Sequence, residues 1–446
     1  MYFIYSLLFT FGLLLALPYY LVRRNPREAL RHIKERFGVF PAHLRPAHFR
    51  QPQRGAILVH GVSLGETLAL VPLVRGLQER YPDRAVFLTH STPTGRQAGR
   101  ERLQGVTAQF YLPLDWRWTM RRLIRFVQPE LVVVGETELW PHLFRAARAS
   151  GARLVIANAR LSDRSFPRYL LARRFFRRVL ADVDYIFAQS ENDRERFLAL
   201  GAGPDQVILT GSTKYELSPP QGTEFSRRLG RCLQAAQRGP VMFAASTMPG
   251  EEEKVLRAWR AIHSQHPKAF LVIAPRRPER FDEAARILES HGIEYLRRSL
   301  TTEATDWTRA EALLLDSIGE LASLFERCDL AFIGGSLVET GGHNPLEPAY
   351  WAKPVLFGPH MENFREIARR FVEAGGAIQV SGEQGLAREA LRLLEDPARA
   401  RAMGDTGRRL VEENQGATAR SLAHIEKLLQ VRAPECTELK MAHLAS

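Results

Sequence analysis

The sequence predicts an α/β protein built from two Rossmann-like, doubly wound domains. From residue 55 onward, short apolar runs alternate with longer amphipathic stretches, the sequence form of βα units around a parallel sheet. The alternation breaks once, in a Pro- and Gly-containing stretch without periodicity at 217–226, and then resumes. At 446 residues the chain is long enough for two such domains, each with its own core. In sheets of this kind ligands bind beyond the carboxyl ends of the strands, so a cleft between the two domains is the expected active site.

Residues 2–22, YFIYSLLFTFGLLLALPYYLV, carry no charge. As a helix rising about 1.5 Å per residue they would match a hydrocarbon core, so residues 1–24 read as an N-terminal membrane anchor. A buried or interfacial helix interrupted by Pro18 is the alternative. Arg23, Arg24, Arg27, Arg31 and Lys34 follow the apolar run, which argues against a cleaved signal peptide. The positive-inside rule then keeps the body of the protein in the cytoplasm.

The first domain, 25–216, takes its strands from AILVH, AVFLTH, LVVVGE, RLVIANA, YIFAQS and VILTG. After the 217–226 linker, the second, 227–430, takes VMFAAS, AFLVIAP, ALLLDS, LAFIGGS, PVLFGP and AIQVSG. Residues 431–446 read as a polar tail.

The net charge of +13 is unevenly placed. Residues 1–218 hold 32 Lys/Arg against 18 Asp/Glu, whereas the remainder holds 30 against 31. Clustered cations favour nucleic acid or an anionic membrane surface. The apolar N-terminus selects the membrane and no nucleic acid. Residues 164–180, RSFPRYLLARRFFRRVL, place six arginines among aromatics and leucines, as either an interfacial helix or a solvated basic face would. Three scattered cysteines make no disulfide framework. No P-loop, dinucleotide fingerprint or HExxH motif occurs, so nucleotide hydrolysis, hydride transfer and metal catalysis lack a visible residue set.

HGVSLGE, His60–Glu66, leads from the first strand into a helix, with Glu66 near the helix N-terminus. A carboxylate there can accept a proton from an acceptor hydroxyl or simply complement the helix dipole. GETELWP places Glu136 and Glu138 at another strand end. One can orient the acceptor while the other caps the helix from Leu139, and the residues alone leave the roles open. GSTKYE sets Lys214 beside the linker as a point charge suited to a phosphate or carboxylate, or as an ordinary surface cation.

In the second domain STMPGEEE carries Ser246 and Thr247 at a strand end, with Pro249 and Gly250 before a helix, in the form of a phosphate cradle. The dipole of that helix accounts for the three glutamates. IAPRRPERF puts Arg276 and Arg277 at a strand mouth, where a guanidinium can fork onto a phosphate. The stretch 332–349, FIGGSLVETGGHNPLEPA, offers backbone N–H groups to a phosphate and Glu347 to ribose hydroxyls, and DSIGEL offers backbone contacts to a base.

In this order, HGVSLGE, ETELWP, GSTKYE, STMPGEEE, APRRPERF and GGSLVETGGHNPLEPA resemble the bacterial 3-deoxy-D-manno-octulosonic acid (Kdo) transferases of lipopolysaccharide synthesis. The resemblance runs over about residues 25–425 and is most specific in GGHNPLEPA. It implies a GT-B glycosyltransferase fold with an inner-membrane anchor and the catalytic domains on the cytoplasmic side, CMP-Kdo as donor, a lipid A precursor as acceptor, and no cofactor or metal. It places the general base on Glu66 and transition-state stabilisation on Glu136 and Lys214. CMP contacts fall on Pro275 and Arg276, on Ile318, Gly319 and Glu320, and on Asn344, Pro345, Leu346 and Glu347. One departure is the Arg276-Arg277 pair, where the family often has Arg-His; charge is kept and a titratable imidazole is not. A GT-B relative using a UDP-sugar on a lipid, or a non-catalytic membrane-surface protein, are the rival readings.

Overall fold

The structure is a computed structural model that describes residues 1–23, 32–40, 55–163, 165–216 and 222–430. Its first sheet contains β1 (Ala56–His60), β2 (Val86–His90), β3 (Ala108–Tyr111), β4 (Pro129–Gly135), β5 (Arg153–Ala159), β6 (Tyr185–Ala188) and β7 (Val207–Leu209). The strands lie in the order β3-β2-β1-β4-β5-β6-β7 and every described pairing is parallel. Both faces are covered, which is why the strands read as continuous apolar runs. Because side chains alternate across a strand, Leu58, Val132 and Val134 join one core and Ile57, Val59, Leu131 and Val133 the other. The order of connection reverses between β1 and β4, the place where a doubly wound sheet opens a crevice.

The second sheet repeats the plan. β8 (Val241–Thr247), β9 (Phe270–Pro275), β10 (Tyr295–Arg297), β11 (Ala312–Leu314), β12 (Leu330–Ile333), β13 (Val355–Phe357) and β14 (Ala377–Gln379) lie in the order β10-β11-β9-β8-β12-β13-β14, also parallel. Its reversal falls between β8 and β12. Trp259, Phe332, Leu271, Leu330 and Leu386 belong to one of its cores. The strands β3 and β10 are not among those read from the sequence; each is a short edge strand, with Gln109 inside the first and Arg297 ending the second.

Three boundaries differ from those expected. The helix Ala417–Gln430 belongs to the first unit, not to a second domain ending at 430. Its Leu422, Ile425 and Leu428 complete the core formed by Ile57, Val59 and Val133. Gly76 permits the approach, since a Cβ there would lie 2.4 Å from Leu422 Cδ1. The first unit therefore joins Met1–Glu216 with the chain from Gln415, and the second runs Leu217–Asn414. Of the expected 217–226 linker, 217–221 lie outside the described residues. A helix already begins at Glu224, where the Thr223 hydroxyl accepts from the Ser226 N–H. The expected tail, 431–446, lies wholly outside the described residues.

The third difference concerns the anchor. Tyr2–Arg23 is helical, but among the described residues no helix is long and apolar enough to cross a membrane. The start of this helix is docked through a polar stripe at helical spacing. Tyr2 Oη donates to Asp182 at 3.3 Å, Tyr5 Oη donates to buried Asp115 at 2.9 Å, and Ser6 Oγ lies 2.7 Å from His142 Nε2. The Trp116 indole donates to Thr10 Oγ1 at 2.9 Å. The RSFPRYLLARRFFRRVL stretch forms two helices, Phe166–Leu171 and Arg173–Leu180, with Phe175 stacked on Tyr5. Arg164 lies outside the described residues.

Candidate active site

In the first unit the β1/β4 crevice gathers the acids. Ser63 caps the helix Leu64–Arg80, and the Glu66 carboxylate folds back onto the cap. It accepts from the Val62 N–H, one residue before the cap, at 2.9 Å and from Ser63 Oγ at 3.0 Å, while Ser63 Oγ accepts from the Glu66 N–H at 3.4 Å. Each Glu66 oxygen keeps a second lone pair, so the cap leaves the group able to accept a proton. Its pKa is raised, first by burial and then by the charge of Glu136, against the hydrogen bond from Val62.

Glu136 stands just past β4 with φ 53°, a left-handed conformation that a side chain other than glycine rarely takes and that is concentrated at functional sites. Its N–H is held by Ala157 O at 2.9 Å. The carboxylate lies 3.6 Å from Lys214 Nζ and 3.9 Å from Arg160 Nε. Lys214 rides on the one-turn helix Thr213–Tyr215, started by the Ser212 hydroxyl. The C-terminal helix braces this turn, because Thr418 N–H donates to Glu216 at 3.0 Å. Glu66, Glu136 and Lys214, distant in sequence, are thus brought to one strand-end cluster, and Arg160 is a member that sequence reading missed. Its only signal was a cation following the apolar run RLVIANA.

Glu138 joins the same cluster. Burial, then the charges of Glu66 and Glu136, push its pKa up to about 8 from the ordinary 4.5. Among the described residues Glu138 forms no ion pair, in contrast to Glu136, so the proton is what relieves it. The folded state then keeps a proton that the unfolded chain releases, and stability falls as pH rises between those two values. Glu138→Gln removes the penalty. Its melting temperature is expected to exceed that of the unsubstituted protein by a margin that widens from about pH 5 to about pH 8; a pH-independent margin would refute the assignment.

In the second unit Ser246 sits on a bulge at the end of β8, with φ 58°. Gly334, at the end of β12, is required beside it, because a Cβ there would meet Ser246 O at 2.6 Å. Two parts of the expected phosphate cradle are corrected. Thr247 is fully buried and donates its hydroxyl to Glu252 at 2.9 Å, in a pair with Arg280, so it is not presented to a ligand. Glu251 is not a dipole-complementing surface residue either. Fully buried, it accepts from Met248 N–H at 2.9 Å, Gly335 N–H at 2.5 Å, Ser336 N–H at 2.9 Å and Leu337 N–H at 2.8 Å. The N–H groups of the glycine loop expected to cradle a phosphate are occupied by the protein's own carboxylate, which fixes the loop instead.

The remaining groups ring this β8/β12 end. Arg276 N–H bonds Thr247 O at 3.0 Å, following the buried Pro275, and its side chain is exposed, as is that of Arg277. His343 N–H bonds Gly334 O at 3.1 Å, and burial, then Arg276 and Arg277, hold the imidazole neutral with a pKa lowered to about 4. Asn344 Nδ2 donates to Glu347 at 3.2 Å while its Oδ1 accepts from Leu346 N–H at 3.1 Å, so the expected contact Leu346, with its buried side chain, is committed internally. Pro345 is buried as well. Ile318 is exposed next to Gly319, whose φ is 89°, and Glu320 is paired with Arg298 at 2.8 Å. That pair leaves the loop backbone as the part of 318–320 open to a base.

Comparison with known proteins shows the family and the fold. Residues 31–217 match the family described as 3-Deoxy-D-manno-octulosonic-acid transferase (kdotransferase). The chain is 37% identical over 410 residues to the 3-deoxy-D-manno-octulosonic acid transferase of Haemophilus influenzae, covering 91% of this chain and 93% of that one. It is 36% identical over 387 residues to the same-named protein of Bordetella pertussis, covering 85% and 88%. Among solved structures, a UDP-GlcNAc 2-epimerase from Neisseria meningitidis bound to UDP-GlcNAc aligns with TM-score 0.56 at 15% identity, over 83% of this chain and 100% of that one. A glycosyltransferase from Rickettsia africae aligns with TM-score 0.55 at 10% identity, over 85% and 100%. At such identities the structures show the fold alone, two parallel-sheet α/β domains as in GT-B glycosyltransferases. On the strength of the sequence relatives, which span nearly the whole chain, this protein belongs to the 3-deoxy-D-manno-octulosonic acid transferase family of glycosyltransferases.

Proposed function

We propose that the protein transfers Kdo from CMP-Kdo to a hydroxyl of a lipid A precursor, with inversion at the anomeric carbon. The observation that carries the reading is the cluster of Glu66, Glu136 and Lys214 at the β1/β4 crevice, a carboxylate of raised pKa beside a cation–carboxylate pair. The acceptor oxygen attacks the anomeric carbon and its proton passes to Glu66. The bond from that carbon to the CMP phosphate breaks, and its electron pair leaves with CMP. Lys214 supplies positive charge for the departing phosphate, where preorganised electrostatics act most strongly. The test is a transfer assay with CMP-Kdo generated in place and a tetra-acylated lipid A precursor, read by mass spectrometry of the lipid. A gain of one or more Kdo masses is expected. Transfer from UDP-sugars with none from CMP-Kdo would overturn the donor.

We also propose that the first unit works at an anionic membrane surface on the cytoplasmic side. On the face of the N-terminal helix opposite its docked stripe, Phe3, Ile4, Leu7, Leu8, Phe11, Leu14 and Leu15 are exposed, and Leu171 is 90% exposed. Exposed Arg173, Arg174, Arg177 and Arg178 follow Leu171. Apolar side chains with arginines around them suit the headgroup boundary, each cation adding about 1 kcal/mol near an anionic surface. Leu8→Asp/Phe11→Asp is expected to reduce sedimentation with phosphatidylglycerol-containing vesicles by about 10-fold or more. Activity on detergent-dispersed acceptor should stay within about 2-fold. Unchanged sedimentation would remove the helix from the membrane contact.

A further inference from the structure

Asn158 is a buried polar residue within the apolar run of β5. It sits near the end of β5 between buried Ala157 and Ala159 and is 1% exposed. Its φ is 53°, and the β5–β6 register slips between Ile156 and Ala159. Asparagine tolerates this left-handed conformation better than other side chains, but glycine would adopt it without strain, so backbone geometry alone does not call for the amide. The amide is engaged on two sides. Oδ1 accepts from the Thr213 N–H at 3.0 Å and lies 3.4 Å from Ser212 Oγ, which starts the turn carrying Lys214. A backbone N–H can only donate, so it fixes which way the amide points. Nδ2 is thereby turned to Glu136 Oε1, at 3.4 Å, the same oxygen that faces Lys214 Nζ at 3.6 Å. Gln189 Nε2 holds the Asn158 carbonyl at 2.8 Å.

We propose that Asn158 is a positioning residue for the transfer reaction, its single amide setting the carboxylate of Glu136 and the turn of Lys214 in register with one another. The inference rests on the reading that Glu136 and Lys214 act in catalysis. It identifies what holds together two groups that lie 78 positions apart in the sequence. A group preorganised in this way acts on the rate of the chemical step, since small misplacements are felt there most.

The test compares Asn158→Asp and Asn158→Gly in the full-length protein. Asn158→Asp keeps the shape and the acceptor for Thr213 but sets an oxygen against Glu136. Asn158→Gly keeps the left-handed backbone and removes the amide, which covers the case in which the aspartate variant fails to fold. Both are expected to lower kcat by about 10-fold or more while KM for CMP-Kdo stays within about 3-fold, a split that loss of a structural hydrogen bond would not produce. On a Lys214→Ala background the same changes are expected to lower kcat by less than about 3-fold, because they act through the same unit. A folded variant with kcat within about 3-fold of the unsubstituted protein, or full multiplication on the Lys214→Ala background, overturns the proposal. Glu136→Gln and Lys214→Ala separate the two levels. If both keep activity, the catalytic reading itself fails; if both lose it while the Asn158 variants keep it, only the present inference fails.

Discussion

Glu66→Gln is expected to lower kcat by about 10²- to 10⁴-fold, the range typical for loss of a general base, with KM for CMP-Kdo little changed. The glutamine keeps a carbonyl oxygen to accept from the Val62 N–H, so the start of the Leu64–Arg80 helix stays capped and the melting temperature should hold within a few degrees. What it loses is basicity. That basicity is enhanced in the folded protein, because burial and the neighbouring Glu136 raise the Glu66 pKa. A variant that keeps more than about a tenth of the rate would show that Glu66 only caps its helix.

The second large effect is on stability. Arg280→Met is expected to destabilise the second unit by about 3–5 kcal/mol, the usual consequence of leaving a buried charge without its partner. Arg280 donates to Glu252 through Nη1 at 2.6 Å and Nη2 at 3.1 Å, and the Glu252 side chain has no solvent exposure. Once the guanidinium is gone, the Thr247 hydroxyl is the remaining donor to that carboxylate among the described residues. The double variant Glu252→Gln/Arg280→Met is expected to regain most of the loss, since neutralising both members of a buried pair removes the uncompensated charge. Urea unfolding followed by a probe in the second unit measures both. A loss below about 1 kcal/mol for Arg280→Met, or no recovery in the double variant, would show that the pair is not desolvated as the structure has it. The same network pins the end of β8, so the single variant should also weaken CMP-Kdo binding.

The two-domain fold and the motifs at the strand ends were legible in the sequence because both rest on local signals. Apolar runs bounded by Gly-containing turns mark parallel strands whether or not their partners are known. Glu66, Glu136 and Lys214 stand out because each follows such a run. Edge strands β3 and β10 were not legible: Gln109 interrupts the first after one residue, and Arg297 ends the second after two. The Arg280–Glu252 pair was hidden for a different reason. Glu251, Glu252 and Glu253 look alike as a run of acids at a helix start, yet the first two are fully buried and the third lies at the surface.

By itself, then, the sequence determined the elements, their order in two units and the residue types offered at each strand end. These follow from side-chain period and turn chemistry within a few residues. The tertiary structure decided who uses them. It assigned the N–H groups of Gly335, Ser336 and Leu337 to Glu251 and not to a phosphate, and it joined Glu136 to the Lys214 turn through Asn158. It returned the helix Ala417–Gln430 to the first core and docked the start of the N-terminal helix through Tyr2, Tyr5, Ser6 and Thr10. Each of these is a choice among partners far apart in the chain, and a buried polar group or an apolar helix face is satisfied by whichever partner the packing brings within reach.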